Sequence, residues 1–279
     1  MIDLIVVIIS LLWLIYASYQ DFKTREVPDW ISYSLIIIAS AFYLIKSFAL
    51  KDSGFILQSS FGLLIFYLTG SLMYYTRQWG GGDVKLLSAL GALFPVYPKE
   101  LLNYFNPNLN LPFLLILILN LVIFGALYSL IFSFYLVLKN RKKIKFSFKI
   151  NKIYSIIAIL FVIIQFFSYD LISKLLFLFL ALIILIYPYL KNYIRVIEDK
   201  IMKKRIPASE LTEGDWILEN IYYKEKLIYN KNNPGVSNNE IKLFHKYRIK
   251  NVLIKEGLPF IPSFLLSLIF SFIFGSLFT

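Results

Sequence analysis

Long apolar runs are the feature that most constrains how this chain can fold. A helix that crosses the hydrocarbon core of a membrane needs about 20 predominantly apolar residues. Eight stretches approach that length, and they are 2–19, 31–50, 55–75, 84–98, 112–138, 153–169, 171–190 and 259–278. Hydrophobic residues make up 58% of the chain and charged residues only 16%. The sequence therefore predicts an all-α polytopic membrane bundle of about six to eight transmembrane helices.

Two of these stretches need a separate argument. The run 153–190 would form a helix of about 57 Å, which is too long for one crossing. We therefore divide it near Ser168-Tyr169-Asp170, although no Gly or Pro marks a turn there. The stretch 84–98 is short and is limited by Pro95. It is predicted as a span, with a re-entrant hairpin as the alternative.

The distribution of positive charge predicts the topology. If all eight stretches cross and the N-terminus lies outside, the inner loops are 20–30, 76–83, 139–152 and 191–257. Together with Lys85 at the inner mouth, these loops hold 25 of the 29 Lys and Arg residues. Short basic loops face the cytoplasm. We therefore expect a multi-pass plasma-membrane protein with these loops inside, whereas a re-entrant 84–98 would change the side of some loops.

The segment 191–257 differs from the rest because it is polar, with 14 basic and nine acidic residues. Asn232-Asn233-Pro234-Gly235 is typical of a turn, and Ser237 followed by Glu240 resembles a capping box. The composition between 217 and 228 allows short strands. These features predict a domain plan of a transmembrane bundle at 1–190, a small mixed α/β cytosolic domain at 191–257 and a last transmembrane helix at 258–279.

The composition also excludes several chemistries. The chain has no cysteine and one histidine, His245. Disulfides and thiolate sites are therefore excluded, and a Ser-His-Asp triad or a multi-histidine metal site is not favoured. We expect no cofactor and no metal. The net charge of +12 is explained by membrane topology, so no nucleic-acid partner is predicted.

Two aspartates lie where the apolar runs meet the predicted cytoplasmic side. Asp21 ends the first run and Asp83 begins the fourth. Charge near hydrocarbon is costly, so such acids are candidates for function. Two carboxylates in close contact share one proton. One can then act as general base on water while the other polarises a peptide carbonyl and protonates the leaving amine.

The other aspartates of the membrane region have structural explanations. Asp3 and Asp52 lie at the predicted outer edges of spans, where solvation is easy. Asp170 is expected to cap the hairpin within 153–190. Asp29 precedes the helix that begins near Ile31, and we expect it to be the N-cap.

The residues around Asp83 allow two interpretations. Gly80, Gly81 and Gly82 remove side chains beside Asp83, which would let a substrate backbone approach closely. Equally, they could form a simple tight turn with Asp83 capping the next helix. Lys85 either neutralises charge near the aspartates or extends along the membrane interface, and we favour the second interpretation.

Two motifs together resemble a known family. Gly80-Gly81-Gly82-Asp83 fits the GxGD signature of polytopic aspartic peptidases, and Asp21-x-Lys23-x-Arg25-x-Val27-Pro28 precedes it. In this order they resemble the type IV prepilin peptidase family, with the archaeal preflagellin peptidases as the most similar branch.

The resemblance implies an aspartic endopeptidase that removes short basic leader peptides from archaellin or type IV pilin-like precursors at the cytoplasmic face. It implies that Asp21 and Asp83 are catalytic and that Gly80, Gly82 and Lys85 support them.

Two other functions remain open. Presenilin-like and signal-peptide-peptidase-like proteases also use GxGD aspartates, but they carry a Pro-Ala-Leu segment that is missing here. A cation-coupled transporter could place acids beside broken, glycine-rich helices. Against a transporter, both acids are predicted at a membrane mouth and not at the midplane.

Overall fold

The architecture is known from a computed structural model that describes residues 2–142, 144, 152–233 and 235–277. The helices are α1 (Ile2–Thr24), α2 (Asp29–Leu50), α3 (Gly54–Tyr75), α4 (Gly81–Leu93), α5 (Phe113–Lys139), α6 (Lys152–Ile164), α7 (Leu171–Ile197), α8 (Asn238–Lys246) and α9 (Ile261–Ile273). The strands are β1 (Lys203–Pro207), β2 (Trp216–Ile217), β3 (Ile221–Tyr223), β4 (Lys226–Tyr229) and β5 (Asn251–Lys255). Short 3₁₀ turns lie at Lys99–Asn103, Gln165–Phe167 and Ala208–Glu210.

Five of these helices are long and apolar enough to cross a membrane, and they are α1, α2, α3, α5 and α7 with its extension to Met202. Each begins and ends within a few residues of a predicted span, apart from the end of α7. The apolar helices α6 and α9 are shorter. The chain is therefore a helical membrane bundle with a small mixed domain, as the sequence predicts.

The predicted division of the 153–190 run is confirmed. Helix α6 ends at Ile164, and a 3₁₀ turn follows. Asp170 is the N-cap of α7, where its Oδ2 accepts a 2.8 Å hydrogen bond from the backbone N–H of Ser173. A side-chain cap can thus separate two helices without Gly or Pro, because it satisfies an otherwise unpaired N–H.

Helices α4 and α9 are shorter than predicted, with 13 residues each. Such helices measure about 20 Å, whereas the hydrocarbon core is about 30 Å thick. The predicted ranges 84–98 and 259–278 are therefore wrong as continuous helices. Non-helical segments extend both elements. After α4, the chain reaches Glu100, which accepts a hydrogen bond from the N–H of Leu4 at the start of α1.

The extension of α9 is also hydrogen-bonded within the protein. Gly275 forms a bridge with Asn108, and the Asn120 side chain donates to the carbonyl of Gly275 at 2.9 Å. Irregular backbone is tolerated at membrane depth only where protein groups satisfy it. Asp83 at the start of α4 and Glu100 after it lie near opposite ends of α1. The predicted span 84–98 is thus a short helix followed by a non-helical segment, and its crossing stays a prediction.

The chain divides into two compact units, Met1–Phe132 with Ile206–Thr279 and Ser133–Arg205. In the first unit, α4 is buried on nearly every side, and α3 crosses it at two glycines. A Cβ atom added to Gly62 would lie 2.2 Å from the carbonyl oxygen of Gly91. This contact requires glycine, because the two backbones touch directly. The second unit pairs α6 with α7 and leaves most of their apolar side chains exposed.

The polar segment has the predicted mixed character. Its three-stranded sheet has the order β1-β5-β2, in which β2 pairs antiparallel to β5 with Trp216 opposite Lys255. Strands β3 and β4 form a separate antiparallel pair. The capping box is confirmed, since Ser237 and Glu240 bond each other's backbone at the start of α8.

Two details refine the predicted polar segments. Helical structure continues to Met202, so the mixed part begins at Lys203 instead of residue 191. Within the predicted turn, Pro234 lies outside the described residues, as do Lys143, Lys145 and Lys149 of the basic 139–152 loop.

Candidate active site

Asp21 lies in the last turns of α1 and faces the start of α9. Its side chain is only 6% exposed. Oδ2 accepts a 2.9 Å hydrogen bond from the backbone N–H of Ile261, the first residue of α9. Helix N-termini carry unpaired N–H groups and a partial positive charge, which explains why a carboxylate is held there. The first motif is thus joined to a helix 240 residues further along the chain.

Asp83 lies in the first turn of α4. Gly80 is the N-cap, and its N–H donates to Asp83 Oδ2 at 2.8 Å. Asp83 is therefore not the N-cap, as the structural interpretation had it, but its side chain caps the helix start from the third helical position. The carboxyl group is half-buried and retains a second oxygen for other partners.

The two aspartates lie at the same end of the first unit, close enough for the charge of Asp21 to act on Asp83. Gly82 helps to bring the two motifs together. A Cβ atom at Gly82 would lie 3.3 Å from the Cβ of Val27, which is tighter than ordinary contact. A glycine here therefore allows the start of α4 to rest against the Val27-Pro28 segment. Gly81 has no such neighbour within 4 Å.

An ion pair also joins the two motifs. Lys85 Nζ lies 2.6 Å from Asp29 Oδ1, and the ammonium lies 5.8 Å from the ring centroid of Tyr33. Neither interpretation of Lys85 included Asp29, with which its charge is paired. Asp29 is likewise not the N-cap of α2, which is Pro28, and its side chain makes no cap hydrogen bond.

Aromatic side chains fix the start of α9 beside the second motif. The ring of Trp79, which precedes Gly80, lies 5.5 Å from Phe260 and 5.7 Å from Phe264. The two sequence motifs include neither Trp79 nor Ile261. The available signal was Pro262, because proline is favoured in the first turn of a helix and so marks where α9 begins.

The polar domain contributes charge near the same end. Burial raises the pKa of Asp215, and the nearby carboxylates of Glu26 and Glu256 raise it further. Glu26 belongs to the α1–α2 loop and Glu256 directly follows β5. Arg77, after α3, donates a hydrogen bond to the carbonyl of Asn232. Strands and loops of the domain therefore lie against the loops that carry the two motifs.

Metal chemistry has no evident support at this site. Across the described ranges, no group of three or more His, Cys, Asp or Glu residues is placed to hold a metal ion. What the arrangement offers is a pair of carboxylates, one bonded to the start of α9 and the other to the start of its own helix.

Fold and site together define a polytopic membrane protein with two aspartates at one end of its bundle. Comparison with known proteins agrees with this class. Residues 8–138 match the type IV leader peptidase family. The matched region contains Asp21, Asp83 and both motifs, which confirms the resemblance read from the sequence.

Three archaeal relatives illustrate the similarity. A preflagellin peptidase of Methanococcus maripaludis is 32% identical over 133 residues, which are 48% of this chain and 57% of the relative. A preflagellin peptidase of Methanocaldococcus jannaschii is 29% identical over 133 residues, 48% of this chain and 56% of the relative.

The prepilin peptidase EppA of Methanothermobacter thermautotrophicus is 31% identical over 156 residues, 53% of this chain and 40% of the relative. The chain thus spans about half the length of the curated relatives it matches. No solved structure matches the chain.

Proposed function

We propose that this protein is a membrane aspartic endopeptidase that removes short basic leader peptides from archaellin or type IV pilin-like precursors. The observation that carries the proposal is the contact between two separate motifs, in which Gly82, next to Asp83, packs against Val27 of the Asp21 motif. The family match over both motifs supports the same reaction. The archaeal relatives carry the names preflagellin peptidase and prepilin peptidase.

The proposed mechanism follows from carboxylate chemistry. Two carboxyl groups in close contact hold one proton between them. The ionised group removes a proton from water, whose oxygen attacks the scissile carbonyl carbon, while the protonated group hydrogen-bonds the carbonyl oxygen. Collapse of the tetrahedral intermediate breaks the C–N bond as a proton passes to the leaving amine. Every proton in this sequence is carried by water or by the two aspartates.

The immediate surroundings suit an extended peptide. Gly81 is exposed and open on its Cβ side, so a substrate backbone can approach the second motif closely. The acids Glu26, Asp215 and Glu256 give this end of the protein negative charge. A leader that carries Lys and Arg would be attracted to such a surface.

We place the site at the cytoplasmic face of the plasma membrane. Asp21 and Asp83 lie beside the predicted inner loops, which together with Lys85 hold 25 of the 29 Lys and Arg residues. Loops rich in Lys and Arg stay in the cytoplasm. Because the native chain has no cysteine, single cysteines at Thr24 and Lys51 can be labelled with an impermeant maleimide on intact cells. Only Lys51→Cys is expected to react.

The function is tested with purified protein in liposomes and a pilin-like precursor that bears a basic leader. Mass spectrometry of the products identifies the bond that is cut. Wild type is expected to release the leader, whereas Asp21→Asn and Asp83→Asn are not. Asp52→Asn is the matched control, since Asp52 also accepts a backbone hydrogen bond, at 2.7 Å from Gly54, but lies at the other end of α2.

Two results would overturn the proposal. One is that wild type leaves all archaellin-like and pilin-like precursors intact. The other is that either Asn variant cleaves at the wild-type rate. Sodium or proton flux through wild-type liposomes without cleavage would favour the transporter alternative.

A further inference from the structure

Asp21 is surrounded by polar groups that lack a hydrogen-bond partner. In the described part of the chain, six buried side-chain polar atoms have none, and three of them are Ser18 Oγ, Arg25 Nη1 and Tyr128 Oη. Ser18 precedes Asp21 by three residues on α1, which places both on the same helix face. Tyr128 on α5 is linked to Phe22, the residue after Asp21, through the ring of Phe132. Unpaired buried groups are rare in proteins, so their concentration at one carboxylate requires an explanation.

Tyr128 is positioned by an aromatic cluster between α1 and α5. Its ring stacks on Phe132 with centroids 5.8 Å apart and planes 19° apart. The Phe132 ring in turn lies 6.1 Å from Phe22 and 5.5 Å from the guanidinium carbon of Arg25. Since Phe22 directly follows Asp21, the cluster holds Tyr128 and Arg25 against the end of α1 that carries the aspartate.

The chemistry of these groups indicates what they would bind. A tyrosine hydroxyl can donate one hydrogen bond, and a guanidinium can only donate. An unmade hydrogen bond at a buried site destabilises the free protein, and a ligand that supplies the acceptor recovers that loss. The natural acceptor beside the carboxylate of a peptidase is a main-chain carbonyl oxygen of the peptide.

We propose that the Tyr128 hydroxyl donates a hydrogen bond to a main-chain carbonyl oxygen of the peptide substrate beside Asp21, with Arg25 as a neighbouring donor. This inference rests on the proposed peptidase function and adds a substrate-contacting residue from α5. It assigns to α5 a part in substrate alignment that neither motif contains.

The test compares Tyr128→Phe with wild type in the precursor cleavage assay. Loss of one hydrogen bond is expected to lower kcat/KM on the order of 10-fold. In an Asp83→Asn background, which binds without cleaving, Tyr128→Phe should weaken precursor binding by a similar factor. The thermal midpoint should stay equal or rise, because the variant removes an unpaired buried hydroxyl and keeps the stacked ring.

Tyr135→Phe serves as the matched control, because it removes the same group from the same helix two turns later, where the side chain is 51% exposed. It should cleave at the wild-type rate. The inference is overturned if Tyr128→Phe keeps kcat/KM within twofold of wild type. It is also overturned if Tyr135→Phe loses as much activity, or if lost cleavage comes with a lower thermal midpoint. A wild-type protein that cleaves no precursor instead refutes the proposed function, and this inference with it.

Discussion

The two compact units of this chain differ in what their apolar helices contact. In the first unit, 33% of the residues in the apolar stretch of α1 are buried, whereas in the second unit only 6% of those in the apolar stretch of α7 are buried. A helix whose apolar side chains stay exposed is suited to lipid, while one that buries them must match its neighbours closely. The family similarity ends at residue 138, close to where the second unit begins at Ser133. The tightly packed unit thus contains both motifs.

The largest expected effect separates two phenylalanines. Phe264 on α9 is fully buried, whereas Phe179 on α7 is 58% exposed. Phe264→Ala should lower the free energy of unfolding by about 3 kcal/mol, because it opens a cavity beside Trp79 and Phe260. Phe179→Ala should change it by less than about 0.5 kcal/mol. Unfolding in mixed micelles measures both values. Equal losses would show that the two units do not differ in packing.

A second prediction concerns the contact between α3 and α4. Gly62→Ala places a methyl group 2.2 Å from the carbonyl oxygen of Gly91. The helices must separate, which should cost about 1–3 kcal/mol. Gly81→Ala, which adds a methyl group with no atom within 4 Å, should leave stability unchanged or slightly raised in the same unfolding measurement. A Gly62→Ala protein of wild-type stability would contradict the close helix crossing.

The ion pair between the motifs should contribute less to the free energy of unfolding than the contact between α3 and α4 does. Lys85 and Asp29 are partly exposed, at 39% and 55%. Lys85→Met or Asp29→Leu should therefore each cost under about 1 kcal/mol. The exchanged pair, Asp29→Lys with Lys85→Asp, should recover part of the loss in a double-mutant cycle. Strictly additive effects would indicate that the two motifs are not in contact here.

The smallest effects are pH-dependent and should have opposite signs in the two units. Burial raises the pKa of Asp215, so the native state binds its proton more readily than the unfolded chain does. Its ionisation thus removes stability as pH rises through the raised pKa. Asp215→Asn should gain thermal stability relative to wild type as pH increases, by about 2 °C or less.

Asp170 in the second unit provides the opposite case. Hydrogen bonds from Ser173 lower the pKa of Asp170. The ionised Asp170 side chain therefore stabilises the folded state at pH values above the ordinary aspartate pKa. This stabilisation disappears as pH falls through the lowered pKa. Asp170→Asn should be slightly less stable than wild type at neutral pH, and the difference should vanish in acid. Thermal midpoints of both variants from pH 3 to 8 test the two signs together.

The sequence was sufficient for the features that depend on local composition. Hydropathy located the long helices, and the Ser237–Glu240 pattern located the start of α8, because both signals lie within a few neighbouring residues. The sequence did not predict where α4 and α9 end, because hydropathy measures apolar content and does not detect where buried backbone stops being helical. The order and spacing of the motifs predicted that Asp21 and Asp83 lie at one end.

Other contacts could not be predicted because they join distant segments. Nothing near Asp21 indicates that its partner is the N–H of Ile261. Tyr128 is one of 20 tyrosines, and only its tertiary surroundings distinguish it. The predicted domain limits at 190 and 257 followed polarity, whereas packing groups residues 206–279 with the first helices.

The central claim is that Asp21 and Asp83 act as one catalytic unit, and a single-turnover cleavage assay tests it most directly. Residues that act together are strongly non-additive. The cleavage rate should therefore fall by at least about 10³-fold, to the same residual value, in Asp21→Asn, in Asp83→Asn and in the double variant. Asp52→Asn should match wild type. The account is contradicted if the two rate losses multiply in the double variant. It is also contradicted if either single variant retains cleavage.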